Sequence, residues 1–157
     1  MAGLEFTAWT TGEIAVSTTG EDIIMLITAP ANQGVIIKSW GLFFDGTTAT
    51  EAGVLCRLVE LTGTITGGVA GQKSDNNMMS AATVQTTVTS ENTAGTSFTA
   101  QGTAGDLFGQ WSIHPQTGHG EFRTLDTRIL VAGGSTVALT GRASAAVNVT
   151  GGLICEE

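Results

Sequence analysis

The chain has 157 residues, 41% hydrophobic and only 13% charged, with 22 Gly, 2 Pro and 26 Thr. Threonine at about one residue in six favours pleated strands and penalises helices, which excludes a helical bundle or coiled coil, and the apolar content is too high for a disordered chain. Six Lys and Arg against fourteen Asp and Glu leave a net charge of −8 with no basic stripe, which argues against a nucleic-acid or anionic-membrane partner.

The opening Met1-Ala2-Gly3-Leu4-Glu5-Phe6 has neither the basic start nor the apolar run of a signal peptide. The apolar run Ile23–Ile27 is far shorter than the ~20 residues that span a bilayer, so the sequence reads as a soluble product of the cytoplasm. Residues 1–12 are expected to form an extended N-terminal arm ahead of a single domain over 13–157, with Leu4, Phe6 and Trp9 as candidate partner contacts. Glu13–Ser17 is a short strand candidate. Ile23–Ile27, Val35–Phe44 and Val54–Leu61 are apolar on both sides, the pattern of central strands or of strands whose outer face meets another subunit. Residues 67–82 read as a long loop, in which the adaptable side chains of Met78 and Met79 are further candidate contacts.

Thr83–Thr89 alternates with period two, setting Val84, Thr86 and Val88 against Gln85, Thr87 and Thr89. Residues 91–105 read as a loop of small residues. Asp106–Ile113 places Leu107, Trp111 and Ile113 together, and Arg128–Val131 is another short strand candidate. In Ser135–Arg142, Val137 and Leu139 oppose Thr136, Ala138 and Thr140. In Val147–Cys155, Val147, Val149, Leu153 and Cys155 share a face. Eight or nine short strands broken by Gly-rich turns predict an all-β fold, an antiparallel β-sandwich of jelly-roll-like type.

Motifs that carry chemistry are incomplete. His114 and His119 are five apart but lack a neighbouring cysteine or paired carboxylate to complete a metal site. Gly67–Ser74 resembles a phosphate loop until Gln72 stands where Gly must precede Lys73, and Gly118-His119-Gly120 meets Arg123 where a dinucleotide fingerprint needs its third Gly. Asp75-Asn76-Asn77 lacks the Gly and Glu of a calcium loop. The acids are dispersed, so no carboxylate pair is marked for acid–base work. The expectation is a protein without catalytic residues, metal or cofactor. Cys56 and Cys155 sit in apolar strand patterns, where buried free thiols are favoured over a single bridge. Trp40, Phe43, Phe44, Phe108 and Trp111 are embedded in strand patterns and are expected in the core.

One order of strands and turns is familiar. Trp40-Gly41-Leu42-Phe43-Phe44-Asp45-Gly46-Thr47-Thr48-Ala49-Thr50 runs into Val54-Leu55-Cys56-Arg57-Leu58-Val59. Trp111–Pro115, Thr124–Arg128, Ala132–Leu139 and Ala145–Val149 follow. Over residues 34–155 this order resembles small bacteriophage structural proteins that decorate or cement the outside of a head as oligomers. The resemblance implies a jelly-roll-like sandwich, a homotrimer or similar oligomer, the major capsid protein as partner, and no enzymatic activity. It also implies a place in the virion, on the capsid exterior, after assembly in the host cytoplasm. That family has no fixed active residues, so none is carried onto this chain. An acidic surface suits a protein that must stay soluble before docking. Two other readings remain open: a phage tail, fibre or baseplate module with receptor- or glycan-binding loops, and a carbohydrate-binding module outside any virus.

Overall fold

Alternating strands leave one side of each in need of cover, and in the computed structural model two antiparallel sheets cover each other. The structure describes residues 3–45, 53–76 and 83–157. In chain order the strands are β1 (Glu5–Trp9), β2 (Ile14–Ala15), β3 (Asp22–Thr28), β4 (Val35–Phe44), β5 (Val54–Gly67), β6 (Val69–Ala70) and β7 (Gln72–Asp75). They continue with β8 (Thr87–Ser90), β9 (Phe98–Ile113), β10 (Gly118–Phe122), β11 (Ile129–Val131), β12 (Thr136–Arg142) and β13 (Asn148–Glu156). A 3₁₀ turn, Leu125–Thr127, lies between β10 and β11. Sheet A runs β10-β4-β13-β1-β7, with β11 also on β4 and β2 on β13; sheet B runs β6-β8-β3-β12-β5-β9.

The two inner faces make one continuous core. Val35, Ile37, Trp40, Leu42, Leu153 and Cys155 of sheet A join Ile24, Ile27, Leu58, Val137 and Leu139 of sheet B in it. Full burial of each such aliphatic side chain contributes about 1.5–3 kcal/mol. The all-β antiparallel sandwich read from the sequence is the fold. Cys56 and Cys155 are buried free thiols, and burial pushes both up to about 12.

The leading segment is not an arm. β1 is an interior strand of sheet A, hydrogen-bonded to β13 on one side and β7 on the other, with Phe6 opposite Cys155. Phe6 and Ala8 are fully buried and Leu4 packs partly buried against the same core. Only two inward residues alternate here, one of them a small Ala, so the strand leaves little periodic trace. The described part of the 67–82 loop contains β6 and β7, while Met78 and Met79 lie outside the described residues. Residues 91–105 are a loop only to Ser97, because β9 begins at Phe98.

Sheet B carries a second apolar layer on its outer side. β5 and β9 form a long antiparallel ribbon with four register shifts, which raise its local twist. Phe98 and Ile65 of the ribbon cluster with Ile23, Leu26, Val59, Leu61 and Ala138. Gly67 and Gly68, at φ +90° and +81°, supply the left-handed backbone by which the chain passes from β5 into β6. The side of β12 expected to be wet is therefore covered: Ala138 and Thr140 are both buried. It also explains why β3 is apolar on both faces.

Candidate functional site

The outer face of sheet A takes its character from β4. Ile37, Trp40 and Leu42 point to the core, and the register shift between Ile154 and Cys155 of β13 lies beside Lys38 and Ser39. Lys38 sits between the outward carboxylates of Glu5 and Glu156, its Nζ 2.8 Å from one and 2.5 Å from the other. The hydrogen bonds that the Lys38 ammonium donates to Glu156 and Glu5 hold it above its ordinary range. Lys38 in turn lowers both carboxyls, with Asn76 adding a hydrogen bond to Glu5.

Beyond that cluster, three adjacent cross-strand rows contain no charged side chain. Phe122, Ser39, Ile154, Thr7 and Ser74 form the first. Gly120, Gly41, Gly152, Trp9 and Gln72 form the second. Gly118, Phe43 and Thr150 form the third. Two aromatic rings lie over glycines in these rows. A Cβ on Gly152 would come within 2.4 Å of the Trp9 indole, and one on Gly118 within 2.4 Å of the Phe43 ring. At Gly41 and Gly120 a Cβ would meet nothing closer than 3.5 Å, so the backbone there is open to close approach. The rings themselves remain exposed, 46% for Trp9 and 56% for Phe43. Phe43 was expected in the core; it points outward because Leu42 takes the inward position of that pleat.

Of the five contact candidates read from the sequence, the structure leaves Trp9 on this face. Phe6 is sealed in the core and Leu4 packs against it. The glycines were missed because their meaning lies in register: residues 41, 120 and 152 are remote in sequence and adjacent only across three paired strands.

Trp40, Trp111 and His119 pack together, with Trp40–Trp111 centroids 4.2 Å apart and Trp40–His119 centroids 5.1 Å apart. His119 is thus a wall between β9 and β10. His114 sits in the intervening turn, where its Nδ1 accepts the Gln116 N–H at 3.2 Å. On the outer side of sheet B a cavity of about 410 Å³ opens beside the second apolar layer. Arg57 lines it, donating to Glu21 at 2.7 Å and to Gln110 at 2.9 Å. No helix of the described residues is long and apolar enough to cross a membrane.

Comparison of the chain with protein-family models, with curated proteins and with solved structures finds no match in any of the three.

Beside the Glu5–Lys38–Glu156 cluster, the three rows present uncharged backbone and exposed aromatic surface on a protein of net charge −8. Uncharged, partly apolar patches of this kind mark surfaces that meet other macromolecules.

Proposed function

We propose that this chain is an adhesive structural protein of a virion, a phage capsid decoration (cement) protein that docks on the outside of the head as an oligomer, a trimer or similar, and bridges major capsid subunits. One observation carries the reading: the three uncharged rows on the outer face of sheet A, floored by Gly41, Gly120 and Gly152 and edged by Trp9 and Phe43. Such a face permits sheet-against-surface packing without desolvating charge, which is the costly part of forming an interface. The acidic remainder of the surface keeps unbound copies soluble and apart. The jelly-roll-like order of strands and turns between residues 34 and 155 supports the same reading.

The test is attachment to heads that lack the protein. Gly41→Lys and Gly120→Lys place a charge in the middle of the face where a Cβ has room, so the variants fold while docking is lost. Wild-type protein should bind at hundreds of copies per particle and the two variants at few or none. Full occupancy by either variant overturns the assignment of the face. A handful of wild-type copies per particle overturns the head location in favour of a tail, fibre or baseplate module.

A further inference from the structure

β9 and β10 are end strands of their sheets, so each has one edge whose N–H and C=O groups meet no further strand. Where β9 runs through the turn at His114–Thr117 into β10, a groove of about 460 Å³ opens, lined from both strands and the turn. Trp111 and His119, both partly exposed, give it an aromatic wall, their ring centroids 5.9 Å apart. That wall is preset. Trp40, 2% exposed, packs against both rings, and the Trp111 indole lies over Gly109 so closely that a side chain there would collide with it. Rings already fixed lose little freedom when a ligand stacks on them. Two buried nitrogens of the cluster, Trp40 Nε1 and His119 Nε2, have no hydrogen-bond partner, so the rings are held by stacking and not by polar contacts of those atoms.

The rest of the lining is largely polar but uncharged: Gln110, Ser112, His114 and Thr117 contribute, and no acid, lysine or arginine does. His114 Nδ1 accepts the Gln116 N–H at 3.2 Å, which leaves Nε2 as the free donor. The Thr117 hydroxyl donates to the His114 carbonyl at 2.9 Å, which leaves its lone pairs to accept. A donor and an acceptor on one turn suit a hydroxyl, which both gives and takes a hydrogen bond. A charged ligand would lose water here without gaining a counter-charge, and an anion would also meet the field of a protein at −8. Farther along, Arg123 follows β10 and donates to the Phe108 carbonyl of β9 at 3.4 Å. The gap between the strands is therefore tied at both ends and fits a compact ring better than an added strand.

We propose that this groove binds a neutral saccharide, whose apolar ring face stacks on Trp111 and His119 while its hydroxyls bond His114 and Thr117. The volume lies within the ~300–1,000 Å³ of small-ligand sites and admits a mono- or disaccharide. Sugar binding is a second activity, separate from docking on heads, and it rests on no part of that reading.

The free protein can be titrated with the methyl glycosides of glucose, galactose, mannose and N-acetylglucosamine while NMR follows its 3 indole N–H signals. Trp111→Phe identifies the signal of Trp111. That signal should shift saturably with at least one neutral glycoside, and glucuronic acid should leave it in place. His114→Ala and Thr117→Val, at exposed turn positions, keep the aromatic wall. Each should weaken the binding about 3–10-fold, the loss of one hydrogen bond, with little change in melting temperature. Trp111→Ala should abolish binding, and the two turn variants decide the matter if that chain does not fold. Absence of a saturable shift with every neutral glycoside overturns the site, and so does a shift that neither turn variant weakens. Glucuronic acid binding as tightly as the neutral glycosides overturns the choice of an uncharged ligand.

Discussion

Trp9 lies across the α-carbon of Gly152, its register partner on the neighbouring strand, so closely that a Cβ at 152 would fall within 2.4 Å of the indole and 2.9 Å of the Ala8 carbonyl oxygen. The ring takes the place of the side chain that glycine lacks. Gly152→Ala should therefore displace Trp9 and strain the β1–β13 pair, at a cost of about 1–3 kcal/mol, the range for overpacking. Urea unfolding measures the loss, and a red-shifted tryptophan emission reports that Trp9 has moved toward water. Unchanged stability and emission would mean that the ring does not rest on this glycine.

Strands that bury one clean face were legible in the sequence. Val35–Phe44 was read with the observed bounds, and Val137, Leu139, Val149, Leu153 and Cys155 all point to the core as their alternation requires. What escaped was whatever depends on a distant partner. β10 is Gly-His-Gly-Glu-Phe, with no apolar period, and is a strand because it pairs with β4. β1 hides its two inward residues in a short segment. The outer layer of sheet B was invisible because the residues that cover Leu26 and Ala138 come from Ile65 and Phe98, far along the chain. The uncharged face was half legible: Trp9 was singled out, but the glycine row needs the register of three strands.

The Glu5–Lys38–Glu156 cluster sets a pH dependence with a definite sign. Both carboxyls are held below their ordinary value of 4.5, so their contribution is present above that value and is lost as pH falls through the depressed values. Lys38 is raised above 10.5, so its contribution is present below that value and lost as pH rises through the raised one. Glu157 adds to the acid limb: burial pushes its carboxyl up, but hydrogen bonds from Thr86, Gln85 and Gln33 outweigh burial and lower it. Lys38→Met should lower stability at pH 7 by about 1 kcal/mol, a modest figure because the pairs are partly exposed. The gap to wild type should narrow as pH falls through the depressed carboxyl values, because protonated carboxyls neither pair with Lys38 nor repel each other. Melting temperatures of both proteins from pH 3 to 9 check this, and a gap that stays constant across the range would refute the cluster's role.

Glu91 is 2% exposed and organises the loop that leads into the ribbon. Its carboxylate accepts the N–H groups of Asn92 at 2.7 Å, Ser97 at 2.6 Å and Phe98 at 3.3 Å, together with the Ser97 hydroxyl. Hydrogen bonds to a charged acceptor are worth about 1.5–3 kcal/mol each, so Glu91→Ala should cost about 3 kcal/mol after relaxation. Hydrogen exchange at Asn92, Ser97 and Phe98 should rise selectively, and Phe98 should loosen from the outer layer. Protection that persists at those amides would show that the loop is held by something other than this carboxylate.

Removal of residues 3–12 separates an interior strand from a docking arm. β1 satisfies backbone groups on both β13 and β7, and Phe6 is among the largest fully buried side chains. The deletion would expose the inner face of Leu153 and Cys155, leave β7 without its partner and open the core along one side of sheet A. The truncated protein should therefore show no cooperative melt, and Phe6→Ala alone should lose about 3–5 kcal/mol. Trp9→Ser acts on the outer face instead: it should melt close to wild type and bind heads poorly. A truncated chain that melts cooperatively near the wild-type temperature would return residues 3–12 to the status of an appendage, because no sandwich loses an interior strand without losing the cover of its core.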